Sequence, residues 1–87
     1  MDFDDLLVRF FGTADIDTLG EERLIAGVER LRLQFAMERD SERRFALWCL
    51  MYMLGVAPEV DDAFGEEADR AAAREFMEEA DSEMDED

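Results

Sequence analysis

Residues 45–54 read FALWCLMYML, ten consecutive apolar residues that form the longest apolar run in the chain. The run extends only to Ala57 beyond Gly55, whereas a bilayer-spanning helix needs about 20 apolar residues. A buried helix therefore fits its length better than a membrane span. Because such a helix is apolar on every side, it belongs at the centre of a bundle, covered by other helices. We predict an all-α fold, a small bundle of about four helices built around this segment.

Two helices are predicted before the central segment. In the first, over about residues 2–11, apolar side chains recur at i, i+3, i+4, i+7 and i+8 from Phe3, the spacing of one helix face. The second is predicted over about residues 18–39, where Thr18 and Glu21 have the spacing of a capping box. A helix of about ten residues is marginal on its own in water, so the first helix is expected to dock on another element.

The second helix carries apolar residues on two opposite sides. One seam has spacings of four, three and four residues and comprises Leu24, Val28, Leu31 and Phe35. A thinner apolar line lies about 180–220° around the helix from Leu24. It comprises Ala26, Leu33 and Met37. A helix with two apolar sides is usually sandwiched, either inside its own bundle or between subunits.

Polar residues separate the second helix from the central one. Asp40 and Ser41 are candidate caps for a central helix over about residues 41–55. Gly55 is expected just beyond its last turn, where a glycine commonly ends a helix.

A last helix is predicted over about residues 58–80, because apolar residues recur every four positions there. Whether Gly65 divides this stretch into two helices is left open by the pattern. Residues 81–87 have little to bury and strong self-repulsion, so we predict a disordered acidic tail. The expected organisation is one helical domain over residues 1–80, followed by that tail.

The charge of the chain is large and unevenly placed. Twenty-five Asp and Glu face nine Arg, with no Lys or His, for a net charge of −16. Residues 59–87 hold fourteen acids against two arginines, a net of −12, and residues 1–58 carry the remaining −4. Such a field attracts basic partners and repels nucleic acid and anionic membranes. We therefore expect a partner protein with a basic surface, no direct nucleic-acid binding and no membrane contact.

Few residue types in this chain suit catalysis or metal binding. Without His or Lys, the commonest general base and the usual nucleophile–base pairs are absent. Cys49 lies inside the apolar run, where a thiol is buried and inert. Residues 15–20 begin like a calcium loop, but Leu19 and Ala26 occupy two of the main ligand positions. We expect no enzyme activity, no catalytic residues, no cofactor and no metal site.

The location expected from the sequence is cytoplasmic. Residues 1–5 are acidic where a signal peptide is basic, and the single cysteine allows no internal disulfide.

Binding through a surface is the function that remains. The candidate interaction residues are Leu33, Met37, Arg39, Arg43, Arg44 and Met53. The three arginines flank the polar break, and pairing with neighbouring acids explains them more simply than a contact with an acidic partner. Self-association through Leu33, Met37 and one flank of the central helix, giving a homo-oligomer, is a further hypothesis.

The preferred function is a non-enzymatic protein–protein interaction module, a regulatory or accessory protein steered to a basic partner by its acidic third. The alternative is a nucleic-acid mimic that inhibits a DNA- or RNA-binding protein by offering carboxylates in place of phosphates. A small ligand carrier or enzyme ranks lower, because a bundle of this size seldom encloses a cavity of roughly 300 Å³.

Overall fold

The computed structural model describes residues 3–84, and this part of the chain is all-α with no strand. A short 3₁₀ turn, Ile16–Thr18, follows the first helix. The α-helices are α1 (Phe3–Phe11), α2 (Glu21–Met37), α3 (Ser41–Met53), α4 (Val60–Ala63) and α5 (Glu67–Met84). The predicted helical bundle is confirmed. No helix within the described residues has the length and apolar character needed to cross a membrane.

The central position predicted for the apolar run is also confirmed. The five consecutive residues 47–51 of α3 are all buried. Successive residues of a helix point about 100° apart, so burial of five in a row requires cover on every side. α1, α2 and α5 provide that cover by packing against α3. Trp48, only 1% exposed, is among the largest fully buried side chains.

The two ends of α3 follow the predicted caps. Asp40 is the N-cap, and its carboxylate accepts a hydrogen bond from the backbone N–H of Glu42 at 3.3 Å. Gly55 follows the helix with φ of 79°, a left-handed conformation that glycine adopts without a steric cost. The Val56 N–H then donates to the carbonyl of Met51 at 2.9 Å, which closes the end of the helix. This turn sends the chain back across α3.

α2 packs its predicted seam inward and leaves its opposite side uncovered. Leu31 is fully buried and Phe35 is 7% exposed, whereas Leu33 on the other side is 62% exposed. Gly27 lies against the ring of Phe11 on α1, and a Cβ at Gly27 would overlap that ring. The glycine therefore allows α1 to approach α2 closely.

The predicted start of the second helix at Thr18 is wrong. The helix begins at Glu21 after Gly20, with no side-chain cap. The Thr18 hydroxyl donates instead to the carbonyl of Asp15 at 2.8 Å, inside the 3₁₀ turn. A threonine can satisfy nearby backbone groups in several local conformations, and here the turn competes successfully with the capping box.

The same helix ends at Met37, two residues before the predicted end at 39. The carboxylate of Glu38 accepts hydrogen bonds from the backbone N–H groups of Arg39 and Asp40. Those groups therefore do not continue the helical ladder.

The stretch predicted over 58–80 forms two helices, α4 and α5, separated by residues 64–66. Phe64 takes an extended conformation at this break and is buried, and its ring meets the Trp48 ring edge-on with 5.7 Å between the ring centroids. α5 continues to Met84, so residues 81–84 of the predicted tail are helical. Residues 85–87 of that tail lie outside the described residues.

Candidate functional site

A groove of about 570 Å³ lies between the end of α3, the segment over residues 57–61 and the C-terminal half of α5. Trp48 and Tyr52 of α3 form part of its lining. Its charged residues are Glu59, Asp61, Glu78, Asp81 and Arg74. The groove thus combines an aromatic wall with an acidic rim, and we call it the acidic groove.

Aromatic packing and one hydrogen bond hold the α3 side of the acidic groove in place. The Trp48 indole N–H donates to the carbonyl of Pro58 at 3.0 Å, which ties the returning chain to α3. The rings of Trp48 and Tyr52 are stacked, with centroids 5.5 Å apart. Phe76 of α5 meets the Tyr52 ring edge-on at 6.0 Å. Offset and edge-on aromatic pairs stabilise such clusters beyond their buried area.

The α5 side of the acidic groove comes from a single face of that helix. Arg74, Met77, Glu78 and Asp81 follow one another at i, i+3, i+4 and i+7, and all four line the groove. Because Phe76, on another side of α5, packs against Trp48 and Tyr52, the charged side chains of this face are held beside Tyr52.

Two of the four carboxylates in the groove already have partners. Asp61 forms an exposed ion pair with Arg74, with 2.7 Å between Oδ1 and Nη2. Asp81 accepts a hydrogen bond from the Tyr52 hydroxyl at 2.8 Å. Glu59 and Glu78 form no ion pair with any residue that the structure describes. With four carboxylates and one guanidinium, the groove has a net negative charge. Glu59 and Glu78 are the two carboxylates that remain available to pair with a cation.

The Tyr52 hydroxyl gives a direct test of this geometry. Its hydrogen bond to Asp81, with burial and the negative charge of Asp81, raises the pKa of Tyr52 above its ordinary value. The hydrogen bond therefore adds to the free energy of unfolding at pH values below the ordinary tyrosine pKa of about 10. This contribution disappears as the pH rises through the raised pKa of Tyr52. Since Tyr52 is the only tyrosine, tyrosinate absorbance reports it alone. We expect Asp81→Ala to lower the midpoint of that titration, and an unchanged midpoint would contradict the contact.

The only cysteine is buried, as predicted. Cys49 is 3% exposed, and burial raises the pKa of its thiol to about 12. The neutral thiol is a poor nucleophile, so it acts as a small apolar side chain in the core. Among residues 3–84, no three Cys, Asp or Glu side chains come together in a group that could hold a metal ion.

The apolar candidates from the sequence are exposed but do not form one surface. Leu33 and Met37 are 62% and 67% exposed on the outer side of α2. Met53 is 49% exposed and lines a separate shallow depression with Phe3 of α1 and Phe76 of α5. The structure therefore leaves Leu33 and Met37 as one candidate surface and places Met53 elsewhere.

The three candidate arginines have different surroundings. Arg39 is exposed, and Arg43 makes a loose, exposed ion pair with Asp40 at 3.8 Å. Arg44 is half-buried, and its guanidinium donates to the backbone carbonyls of Phe35 at 2.7 Å and Ala63 at 2.6 Å. The same group lies 4.0 Å from the centroid of the Phe35 ring. Arg44 is therefore engaged in holding α2 to α4.

Sequence reasoning did not single out Glu59, Asp61, Arg74 or Glu78 as site residues. The spacing of Arg74, Glu78 and Asp81 already placed them on one helix face. The opposite wall depends on the Trp48–Pro58 hydrogen bond, and no local pattern in the sequence encodes that contact.

No protein-family model matches this chain, and the comparisons with curated proteins and with solved structures found no match. The acidic groove and the charge distribution therefore carry the functional inference.

Proposed function

We propose that this protein is a non-enzymatic interaction module that binds a basic segment of a partner protein in the acidic groove. The observation that carries this proposal is the presence of two unpaired carboxylates, Glu59 and Glu78, beside an aromatic wall in a concave site. Such a site suits a side chain with an apolar stem and a cationic end, as in arginine or lysine.

The chemistry of the groove favours arginine or lysine over a bare cation. A guanidinium or ammonium group can pair with Glu59 or Glu78, and these charge-assisted hydrogen bonds are stronger than neutral ones. The aliphatic stem can pack against Met77 and the half-buried Tyr52 ring. Both kinds of contact form in one place because α5 and the 57–61 segment flank the same depression.

Long-range charge supports the same partner. Residues 59–87 carry a net charge of −12 and include every charged residue of the groove. Attraction between this region and a basic partner accelerates encounter and weakens as salt is added. Fast, salt-sensitive association of this kind suits a regulatory or accessory protein. If the partner were a DNA- or RNA-binding protein, the alternative function, nucleic-acid mimicry, would be favoured instead.

The proposal is tested by binding an arginine-rich peptide to the wild-type protein and to two double variants. Glu59→Gln/Glu78→Gln removes the two unpaired groove carboxylates, and we expect affinity to fall about tenfold because two charge-assisted contacts are lost. The matched control, Glu67→Gln/Glu75→Gln, changes the net charge equally on exposed residues outside the groove. We expect it to weaken binding about twofold, through the long-range field alone.

The readout is a peptide titration followed by NMR, with the Trp48 indole N–H as the reporter inside the groove. Chemical-shift changes centred on Trp48 and Tyr52 in the wild-type protein support the proposal. Equal losses of affinity in the two double variants would overturn it, since only net charge would then matter. We expect no direct binding of double-stranded DNA to this protein. If DNA bound to the protein and displaced the peptide, the expectation that the acidic surface repels nucleic acid would be wrong.

A further inference from the structure

The outer face of α2 is an apolar line that nothing in residues 3–84 covers. Leu33 and Met37 are more than half exposed, and Ala26 is exposed on the same side. The inner face meets α1 and α3 through Leu31 and Phe35. On the outer face, Ala26 borders a depression beside α1, whereas Leu33 and Met37 stay largely exposed among the described residues. Adjacent exposed apolar side chains on one helix face are typical of an interface.

We propose that this outer face is a self-association surface, on which α2 of a second copy of this chain packs antiparallel. The inference goes beyond the proposed function, because the lining of the acidic groove contains no residue of α2. Two arguments identify the occupant as a second copy: the charge of α2 and the symmetry of its outer face.

Charge favours a second copy at α2 and disfavours it at α5. α2 holds three acids and three arginines, a net charge of zero, within a chain of −16. α5 is strongly acidic, so two copies that met through it would repel one another. Arg30 and Glu29 of α2 form no ion pair with any described residue. Both charges are therefore available to a neighbouring molecule.

The order of residues along the outer face is suited to a two-fold pairing. The face comprises, in order, Glu22, Ala26, Glu29, Arg30, Leu33 and Met37. These positions are symmetric about the midpoint between residues 29 and 30. An antiparallel pair therefore places Leu33 over Ala26 of the second copy, and Met37 beside Glu22 at each end of the face. Glu29 then lies beside Arg30 of the second copy, and the reverse contact forms by symmetry. A two-fold interface requires this kind of self-complementarity.

The size of the face indicates a weak, reversible dimer. α2 has 17 residues, which at about 1.5 Å per residue gives a helix of roughly 25 Å. One helix face of that length buries less than the roughly 1,200–2,000 Å² of a standard stable interface. Interfaces below that size are typical of weak, transient association. The dimer would present two acidic grooves, because no residue of α2 lines the groove.

Sedimentation equilibrium over a range of concentrations tests the proposal with a matched pair of variants. Leu33→Glu puts a charge at the apolar contact with Ala26 of the second copy, and we expect dimerisation to weaken by at least about tenfold. Ile25→Glu makes the same chemical change at another exposed α2 residue, 51% exposed and outside the face. It should leave the dissociation constant within about twofold, since rim substitutions have small effects. Circular dichroism confirms that each variant remains helical.

Charge reversal tests the antiparallel geometry itself. Glu29→Arg alone places like charges opposite each other across the two-fold axis, so dimerisation should weaken. The double variant Glu29→Arg/Arg30→Glu restores opposite charges and should regain most of the wild-type association. A wild-type protein that stays monomeric up to about 1 mM, a range that covers weak interfaces, would overturn the proposal. Equal effects of Leu33→Glu and Ile25→Glu would do the same, and neither result bears on peptide binding in the groove.

Discussion

Replacement of Trp48 by alanine is expected to lower the free energy of unfolding by about 3–5 kcal/mol, the usual cost of removing a buried aromatic side chain. The whole domain, at ~0.05–0.15 kcal/mol per residue, is stabilised by roughly 4–13 kcal/mol. The substitution therefore removes a large part of the total. Trp48 is 1% exposed and its ring lies within 6.4 Å of the Tyr52, Phe64 and Phe76 rings. No neighbouring side chain can fill so large a space without moving a helix.

The measurement is urea unfolding followed by far-ultraviolet circular dichroism, since the variant lacks the only tryptophan. Trp48→Phe is the variant to compare with Trp48→Ala, because it keeps an aromatic ring but removes the indole N–H that donates to the Pro58 carbonyl. A loss of about 1–3 kcal/mol is expected there. Ile25→Ala, at a residue 51% exposed, is the surface control and should change stability by less than about 0.5 kcal/mol. A Trp48→Ala variant as stable as this control would show that α3 is not the centre of the core.

Arg44→Met is expected to lower the free energy of unfolding by about 2–4 kcal/mol, because two charge-assisted hydrogen bonds are lost together. The carbonyls that Arg44 contacts lie in the last turns of α2 and α4. Such carbonyls lack helical donors and form the negative ends of the helix dipoles, so a guanidinium is well placed there. Methionine keeps an unbranched apolar side chain but supplies no donor.

The neighbouring arginine provides a matched control for this prediction. Arg43→Met removes the same charge from an exposed position, where the ion pair with Asp40 spans 3.8 Å. Exposed pairs of this kind contribute about 0–1 kcal/mol, so little change is expected. Arg44→Lys should fall between the two, because one ammonium group cannot span both carbonyls or stack flat on Phe35. Equal losses for Arg43→Met and Arg44→Met would contradict the capping role of Arg44.

Arg43 and Arg44 also illustrate how far the sequence predicts individual side chains. They are adjacent in one helix, and local pattern gives them the same environment. In the structure they point about 100° apart around α3, so one meets solvent and the other the ends of two helices. Only the path of the chain after α3, which brings Ala63 next to Phe35, separates their roles.

The elements predicted correctly are those where several local signals agree. α3 combines a continuous apolar run with a carboxylate cap at Asp40 and a glycine at its end, and all three features are found. Thr18 shows the opposite case. Only the capping pattern predicted a helix start there, and the Thr18 hydroxyl instead forms a hydrogen bond within a local turn. Agreement among independent local signals is what makes one conformation dominate.

The acidic groove was not predictable as a site, although its ingredients were visible. The excess of acids after residue 58 and the aromatic pair on α3 are properties of the sequence. Their meeting depends on the break at residues 64–66, which lets α5 run back along α3 and places Asp81 beside Tyr52. Twenty-nine residues separate those two side chains in the chain, beyond the reach of any local pattern.

Local signals in the sequence are sufficient to predict the all-helical bundle, the burial of the central apolar helix, the inert environment of Cys49 and the acidity of the C-terminal third. These follow from periodicity, apolar content and charge, which act through neighbouring residues and solvent. Tertiary structure alone decided where α4 and α5 turn, which arginine became a cap, which acids line the groove and that the outer face of α2 stays uncovered. Those outcomes depend on contacts between distant segments, whose geometry is set by packing around Trp48 and Phe64.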